Sequence, residues 1–305
     1  MSALPLDATP RPLGRSTLRV FPLAWGCWRF AGVPLREARA RIDADLALGV
    51  TLFDHADIYG GDGAAERLFG DALAEAPHLR DGMVLASKFG IVPGVPYDSS
   101  PAHVVAACEA SLRRLRVETI DLYQVHRPDW LAHPRALAEA LDTLRREGKI
   151  RAVGVSNHSP AQFDALQRWL PFPIVTHQPQ FSPWCLTPLR DGVLDQCLRE
   201  RVAPLAWSPL AGGRLALTAD EARGEPDGER LAALLACLDR LADREGVSRT
   251  AVALAWLLVH PAGVIPILGS QRPERIAAAA QAFRVRLSRQ DWYDVVIAAQ
   301  GARLH

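Results

Sequence analysis

Four side chains in the sequence, Asp54, Tyr59, Lys88 and His126, could together bring a proton to a carbonyl oxygen. Lys88 stands out because only two of the 35 basic residues are lysines. It lies near the end of an apolar run, where a bare charge is costly unless something uses it. An ammonium beside a phenol lowers the pKa of the phenol. Lys88, held in place by Asp54, would therefore make Tyr59 a general acid that works near neutral pH.

His126 would orient the carbonyl oxygen or complete a path for the proton. Each of these residues also has an ordinary structural explanation. An aspartate at the end of a strand often caps the next loop, and tyrosine and histidine often pack in a core. The rare lysine among them favours a shared role in chemistry.

Eight apolar runs predict strands, and the amphipathic segments between them predict helices. The predicted strands cover residues 23–26, 51–54, 84–88, 119–125, 152–156, 174–178, 203–207 and 264–268. The predicted helices cover residues 35–48, 65–74, 101–115, 134–147, 161–169, 189–201 and 229–244. Eight strands that are apolar on both faces and alternate with helices favour a closed parallel barrel over an open sheet.

The sequence therefore predicts an α/β fold, a (β/α)8 TIM barrel in a single domain of residues 1–305. An N-terminal β-hairpin at 13–20 is expected to cap the bottom of the barrel, and extra helices are expected near the C-terminus. Residues 211–228 are predicted to form a long loop after the seventh strand, and residues 248–260 an extra helix before the eighth. Ser100 and Ser159, each followed by proline, are predicted helix N-caps.

The composition argues against several classes of partner. The net charge is +1 with both signs interspersed, so neither nucleic acid nor a membrane surface is expected as a partner. We find no apolar stretch that could span a bilayer and no secretion signal in residues 1–12. The five cysteines are scattered without CxxC spacing, which favours reduced thiols, a cytoplasmic location and no bound metal.

In such a barrel, functional residues lie at the C-terminal ends of the strands. Reading only those ends gives a set of polar, aromatic and small residues: Trp28, Asp54, Lys88, His126, Ser156, Asn157, Gln178, Trp207, Ser208, Gly269 and Ser270. Asn157 is the only asparagine in the chain, which makes a chance placement there less plausible. The set predicts one reaction site at the mouth of the barrel.

Asp54, Tyr59, Lys88 and His126 resemble the catalytic tetrad of the aldo-keto reductase family. The resemblance covers nearly the whole chain and includes Gln178 and the segments 13–20, 53–60, 154–157, 207–210 and 265–270. The sequences of residues 54–61 and 126–129 are similar to those of a bacterial oxidoreductase branch of that family.

The resemblance implies NADPH-dependent reduction of an aldehyde or ketone, with a small-molecule carbonyl compound as the substrate. Hydride would pass to the carbonyl carbon while Tyr59 protonates the oxygen, and Lys88 and His126 would stabilise the developing negative charge. The residues implied for cofactor binding are Gly26, Trp28, Asp54, Ser156, Asn157, Gln178, Trp207, Ser208, Leu210, Gly269, Ser270, Arg272 and Arg275. Of these, Trp207 would stack on the nicotinamide, and Arg272 and Arg275 would pair with the 2′-phosphate.

Three positions depart from the pattern of the family. His55 stands where threonine is common, which would add a titratable group near the mouth and alter the pH profile. Ala278 and Ala279 replace a Glu-Asn pair that often holds the adenine, so weaker adenine contacts are expected. Trp207 replaces the commoner tyrosine and preserves stacking.

The predicted wall of the substrate pocket is largely aromatic, although aromatic side chains at these places could equally anchor loops. It comprises Trp28, Phe30, His55, Tyr59, His126, Arg127, Trp130 and Trp184. Three other functions remain open: a Schiff-base lyase that uses Lys88 as nucleophile, a metal-dependent hydrolase built on Asp54, His55, Asp57 and His126, and a cofactor-bound regulatory or sensor subunit. A Rossmann dehydrogenase is disfavoured because no GxGxxG follows a strand.

Overall fold

The computed structural model describes residues 3–304, in which eight parallel strands close into a barrel surrounded by helices. The strands are β1 (Arg11–Pro12), β2 (Arg19–Val20), β3 (Ala24–Gly26), β4 (Leu52–Asp54), β5 (Val84–Phe89), β6 (Ile91–Val92), β7 (Val95–Tyr97), β8 (Ile120–Val125), β9 (Ile150–Ser156), β10 (Ile174–Gln178), β11 (Ala203–Ala206) and β12 (Ile265–Leu268). The barrel runs in the order β3, β4, β5, β8, β9, β10, β11 and β12, which pairs with β3 again. The predicted (β/α)8 barrel is confirmed.

Most helices begin where the sequence places a capping residue. The helices are α1 (Leu35–Ala47), α2 (Ala64–Glu75), α3 (Pro101–Leu115), α4 (Pro134–Arg146), α5 (Pro160–Gln167), α6 (Val193–Glu200), α7 (Ala219–Arg223), α8 (Gly228–Glu245), α9 (Arg249–Leu258), α10 (Pro273–Ala279) and α11 (Arg289–Gln300). Ser100 caps α3, and Ser159 forms a capping box with Gln162 at the start of α5. Both predicted N-caps are confirmed, as is the extra helix before the eighth barrel strand.

The N-terminal hairpin pairs β1 with β2 and closes the bottom of the barrel, as predicted. Leu13 and Val20 are fully buried and pack with the apolar side chains of the lower barrel interior. Arg11 also donates a hydrogen bond to the carbonyl of Val264, directly before β12. The closed bottom leaves the opposite end, where the strands finish, as the open mouth.

Two local predictions need correction, and one hairpin was missed. Residues 211–228 are not a plain loop, because a 3₁₀ turn (Ala211–Ala216) is followed by α7, which begins at a capping box of Thr218 and Glu221. The helix predicted at 189–201 begins only at Val193, whose N–H donates a hydrogen bond to the carboxylate of Asp191. A second hairpin, β6 with β7, extends from the end of β5 and was not predicted.

The C-terminal helix is fixed to the barrel wall by a pair of tryptophans. Trp256 of α9 and Trp292 of α11 stack with ring centroids 4.9 Å apart. Each indole N–H donates to the backbone carbonyl of the other residue, at 3.0 and 3.1 Å. Among residues 3–304, no helix combines the length and the apolar composition that crossing a membrane requires.

Candidate active site

The structure brings Asp54, Tyr59 and Lys88 into direct contact at the mouth of the barrel. Nζ of Lys88 donates to Oδ2 of Asp54 at 2.7 Å, to the phenol oxygen of Tyr59 at 2.9 Å and to the carbonyl of His55 at 2.9 Å. Lys88 is fully buried. An ammonium has three protons to share, and all three find protein acceptors here. The position of Lys88 is therefore fixed without help from solvent.

The loop after β4 is held so that Tyr59 returns to Lys88. The N–H of His55 donates to the carbonyl of Ala86 at 2.8 Å, and the N–H of Asp57 donates to the carbonyl of Lys88 at 3.0 Å. The loop thus continues the pairing of β4 with β5 for three residues beyond the strand. Tyr59, five residues after Asp54, ends up half-buried with its hydroxyl on the lysine.

The charges at this site differ from the prediction in one respect. Burial raises the pKa of Tyr59 above its ordinary value, and the opposing effect of the Lys88 ammonium does not cancel that shift. The expected lowering of the Tyr59 pKa is therefore not found. Burial destabilises the phenolate more than the neighbouring ammonium stabilises it. The phenol keeps its proton at neutral pH.

Lys88 keeps its charge in this environment. Burial on its own would lower the pKa of Lys88, but the carboxylate of Asp54 and the phenol of Tyr59 outweigh it, so the pKa is raised. A buried ammonium therefore lies permanently beside the phenol oxygen. Negative charge that develops on an atom bonded to that phenol would meet a positive charge already in place.

His126 lies across the site from the other three residues. Its ring faces that of Tyr59 edge-on, with centroids 5.9 Å apart. Burial lowers the pKa of His126 to about 2, and the charges of Lys88 and Arg127 act in the same direction. The imidazole is therefore neutral, and it can donate or accept a hydrogen bond but adds no charge.

The second carboxylate oxygen of Asp54 accepts two amide donors. Nε2 of Gln178 donates to Oδ1 at 3.1 Å, and Nε2 of Gln124 donates to the same atom at 3.2 Å. Gln178 belongs to the predicted set, whereas Gln124 does not. Gln124 lies two residues before His126 on β8, and the alternation of side chains along a strand could have indicated that it faces the same way.

A second polar cluster joins the ends of β9, β10 and β11. The amide of Asn157 donates to Oγ of Ser156 at 2.7 Å and to the carbonyl of His126 at 3.3 Å, and its oxygen accepts the indole N–H of Trp207 at 2.9 Å. Ser156 in turn donates to the carbonyl of Gln178. Asn157 has φ +57°, a left-handed conformation that asparagine tolerates better than most residues. The only asparagine in the chain thus combines a left-handed backbone with three side-chain hydrogen bonds.

The remaining predicted cofactor residues lie around the mouth between β11, β12 and β3. Ser208 (φ +51°) and Leu210 form the turn after β11, and Gly26 ends β3. The loop of Gly269 and Ser270 follows β12 and is tied to β3, because the indole of Trp25 donates to the carbonyl of Ser270 at 2.9 Å. Arg272 and Arg275 are exposed at the start of α10.

Some predicted pocket residues do lie at the mouth. Trp28 and Trp130 are 62 % and 82 % exposed, on the loops that follow β3 and β8. Arg127 places its guanidinium over the ring of Trp207, 5.8 Å from the centroid. These three side chains, with Tyr59 and His126, could contact a bound molecule.

The other three predicted pocket residues are placed elsewhere. Phe30 and His55 are fully buried and both pack on Phe69, in the layer between the barrel and its helices. Both therefore belong to the core. Trp184 lies under Arg230 in a cavity of about 520 Å³ whose lining includes none of the four predicted catalytic residues.

His55 also fails the expectation that it would add a titratable group near the mouth. Burial lowers its pKa to about 3, and the charge of Lys88 adds to that shift. Within the described part of the chain, no three histidine, cysteine, aspartate or glutamate side chains gather closely enough to hold a metal ion.

A charged lysine, a protonated tyrosine and a neutral histidine thus meet at the open end of a parallel barrel, which is where the functional residues of this fold lie. The model of the aldo/keto reductase family matches residues 22–299. The chain belongs to this family, and the resemblance seen in the sequence is confirmed.

Individual relatives agree with this assignment. The chain is 46 % identical over 311 residues to a 6-dehydroglucose reductase of Novosphingobium aromaticivorans, with 100 % of both chains covered. It is 38 % identical over 296 residues to a 6-dehydroglucose reductase of Agrobacterium fabrum, covering 93 % of this chain and 96 % of the relative. Among solved structures, it is similar to a thermostable aldo-keto reductase crystallised with the inhibitor epalrestat. That similarity has a TM-score of 0.81 and 25 % identity, and it covers 95 % of this chain and 99 % of the other.

Proposed function

We propose that this chain reduces an aldehyde or ketone to an alcohol with NADPH, and that Tyr59 supplies the proton. The observation that carries the proposal is the contact of one buried ammonium, that of Lys88, with both Asp54 and Tyr59, at 2.7 and 2.9 Å. A proton donor must hold its proton until the reaction needs it, and the raised pKa of Tyr59 ensures that it does.

The reaction needs each of these residues for a separate task. A reduced nicotinamide, when bound, supplies the hydride for the carbonyl carbon. As negative charge grows on the carbonyl oxygen, Tyr59 donates its phenolic proton to it. Lys88 stabilises the charge that moves onto the phenol oxygen, and Asp54 keeps Lys88 in position. His126, being neutral, orients the carbonyl oxygen by a hydrogen bond.

The strand ends fit a nicotinamide on geometric grounds. Gln178 directs its amide N–H₂ to Asp54, which leaves its oxygen as an acceptor for a carboxamide. Trp207 is held by Asn157 through its indole nitrogen, so its ring has a fixed orientation for stacking. Ser156 and Asn157 complete that subsite, whereas Gly26, Trp28, Ser208 and Leu210 would flank the cofactor.

NADPH is proposed rather than NADH because of Arg272 and Arg275. Both side chains are exposed next to the loop of Gly269 and Ser270, where a 2′-phosphate could pair with a guanidinium. Ala278 and Ala279 lie one turn further along and offer no polar group to an adenine. Most of the cofactor affinity would then come from the phosphates and the nicotinamide.

For the substrate, we propose an aldehyde on a small polyhydroxylated carbon chain. Two relatives that match the chain over nearly its full length are both named 6-dehydroglucose reductase. In this chain Trp28 and Trp130 offer exposed ring faces at the mouth, and Arg127 offers donors for hydroxyl oxygens. An oxidised hexose is therefore the first substrate to test.

The test is to follow NADPH and NADH consumption against a panel of sugar aldehydes, simple aldehydes and ketones, for the wild type and Tyr59→Phe. We expect the variant to bind NADPH as the wild type does and to lose turnover by about 10³-fold, which is the usual size of a general-acid contribution. Equal turnover of the two proteins would remove Tyr59 from the mechanism. No turnover with any carbonyl compound, together with tight NADPH binding, would point to a sensor instead.

A Schiff-base lyase is disfavoured by the state of Lys88. A nucleophilic amine must be unprotonated, whereas Lys88 is charged and shares its protons with three acceptors. Borohydride treatment in the presence of the carbonyl substrates should leave Lys88 unmodified. Covalent trapping at this residue would reverse the assignment.

A further inference from the structure

Gln124 is a buried polar residue near the mouth that the mechanism above does not use. It is fully buried on β8, and its amide N–H₂ lies 3.2 Å from Oδ1 of Asp54. Oδ2 of the same carboxylate binds Lys88 at 2.7 Å. Gln124 therefore acts on the side of Asp54 that faces away from Lys88.

The orientation of the Gln124 amide is fixed from behind. The hydroxyl of Thr176 donates to Oε1 of Gln124 at 3.2 Å, which leaves the N–H₂ group to face Asp54. Gln124 and Thr176 lie on strands that are not neighbours, because β9 runs between them. Gly154 of β9 pairs with Gln124 on one side and Thr176 on the other, at the same level of the barrel.

Gly154 is what lets the two side chains meet. A Cβ at this position would lie 2.0 Å from the hydroxyl oxygen of Thr176 and 3.0 Å from Cγ of Gln124. Any side chain here would separate the pair. The barrel interior therefore holds a continuous row of hydrogen bonds that runs from Thr176 through Gln124 and Asp54 to Lys88, and from there to Tyr59.

We propose that Gln124 is a positioning residue for the carbonyl reduction. It holds the carboxylate of Asp54 against Lys88 and thereby sets the pH at which Tyr59 exchanges its proton. The inference rests on the proposed function for its kinetic consequences. Gln124 is fully buried and its amide is engaged with Asp54 and Thr176, so we expect it to contact neither the carbonyl compound nor the cofactor. It differs in this from Gln178, which donates to the same oxygen but also faces the nicotinamide subsite.

The direction of the effect follows from the charges around Tyr59. Asp54 acts to raise the pKa of Tyr59, and Lys88 acts to lower it. Without the Gln124 donor, the charge of Asp54 is less compensated and raises the Tyr59 pKa further. If Asp54 instead takes the proton of Lys88, the stabilising cation is lost and the pKa of Tyr59 rises again. Both responses raise the pKa of Tyr59.

The decisive variant is Gln124→Met, which keeps the shape of the side chain and removes the donor. In the direction of alcohol oxidation Tyr59 must accept a proton, so we expect the pH midpoint of kcat to move upward by about 0.5 to 1 unit. At neutral pH, kcat should fall about 3- to 10-fold, because one pKa unit changes the proton-accepting fraction about tenfold. The alcohol KM and the NADPH dissociation constant should stay within about twofold, since no contact to either is removed.

Gln196→Met is the matched control. Gln196 is also a buried glutamine and donates to the carbonyl of Pro160 at 3.0 Å and to the carboxylate of Asp164 at 2.7 Å, outside the barrel interior. Its loss should lower the melting temperature and leave the pH midpoint unchanged. A midpoint shift of the same size in both variants would overturn the proposal.

Thr176→Val is the second variant and decides the matter if Gln124→Met does not fold. It removes only the hydroxyl that orients the Gln124 amide, so the midpoint should move in the same direction by a smaller amount. A wild-type midpoint in Thr176→Val, or in a folded Gln124→Met, would show that the row of hydrogen bonds is structural only.

A measurement without turnover separates this inference from the proposed function. The chain has four tyrosines, so ¹³C-labelled tyrosine gives few resonances, and Tyr59→Phe identifies that of Tyr59. Ionisation of Tyr59 in the cofactor-free protein should begin at higher pH in Gln124→Met than in the wild type. An unchanged onset contradicts the inference even if the enzyme is active. An inactive wild type contradicts the proposed function but leaves this arm of the test intact.

Discussion

The only two lysines of the chain lie at opposite ends of the barrel and form ion pairs of the same length. Lys88 lies 2.7 Å from Asp54 near the end of β5, and Lys149 lies 2.7 Å from Glu109 directly before β9. Their surroundings differ, since the side chain of Lys88 is 0 % exposed and that of Lys149 is 29 % exposed. Water can take the place of Glu109 beside Lys149, whereas no water reaches Lys88 to take the place of Asp54. Burial, and not distance, distinguishes the pair at the proposed reaction site from the other pair.

The largest expected effect comes from breaking the buried pair. Lys88→Met should lower kcat by about 10² to 10⁴, the range of general acid catalysis, because the phenolate of Tyr59 loses its cation. It should also destabilise the fold by about 3 kcal/mol, because Asp54 is left buried and unpaired. Lys149→Met should leave kcat unchanged and shift the melting temperature only slightly. Kinetics and urea unfolding of the two variants provide the measurement.

The double variant Lys88→Met/Asp54→Asn distinguishes the two consequences. With no buried charge left, it should recover most of the lost stability and none of the lost activity. If Lys149→Met were as harmful to kcat as Lys88→Met, the contrast between the two ends of the barrel would be invalid.

A second pair of positions extends the comparison to the backbone. Asn157 at the mouth and Gly148 at the bottom both have positive φ, +57° and +74°. Asn157→Gly keeps the backbone conformation and removes the amide that holds Trp207 and His126. We expect NADPH affinity to fall about tenfold, with little loss of stability. A tenfold change equals about 1.4 kcal/mol of binding free energy, which is the size of the contribution of one neutral hydrogen bond.

Gly148→Ala should do the reverse. A Cβ there would meet no atom within 4 Å, so the cost is confined to the left-handed conformation and amounts to about 1 kcal/mol. NADPH affinity, measured by quenching of tryptophan fluorescence, should not change. A loss of affinity in Gly148→Ala, or none in Asn157→Gly, would contradict the division between a functional mouth and a structural bottom.

The sequence was sufficient for the fold and for the residues at the strand ends. Apolar runs and capping residues such as Ser100 and Ser159 act locally, so their pattern can be read without coordinates. The positions of Phe30 and His55 could not be predicted in this way. Both lie within two residues of mouth residues in the sequence, yet their side chains turn towards Phe69 in the layer outside the barrel.

Long-range contacts explain the remaining differences. Gln124 meets Asp54 across 70 positions of the chain and Thr176 across 52. Alternation along the strand could indicate which way Gln124 faces, but it does not identify either partner. The pKa of Tyr59 depends on the balance of burial against the charge of Lys88, and only the fold sets the first of these. The sequence identified the charged residues, whereas the structure was needed to find the direction in which the pKa of Tyr59 is shifted.

The smallest expected effect on activity tests whether every titratable group at this end of the barrel takes part in the reaction. His55→Leu replaces a buried imidazole that packs edge-on against Phe69 at 4.6 Å. Because burial lowers the pKa of His55 to about 3, its folded form is neutral, whereas the unfolded form takes up a proton below about pH 6.5. Stability is therefore unaffected by His55 above that pH and is lost as the pH falls towards 3.

His55→Leu should remove that part of the acid sensitivity. At about pH 5 we expect the variant to retain about 1 to 2 kcal/mol of unfolding free energy that the wild type has lost, measured by urea unfolding relative to about pH 7. The pH profile of kcat should be the same for both proteins, because the contact of Lys88 with residue 55 is made by its backbone carbonyl. A changed kcat profile would place His55 in the chemistry. The loop after β4 would then contribute a second titratable side chain to the reaction, besides Tyr59.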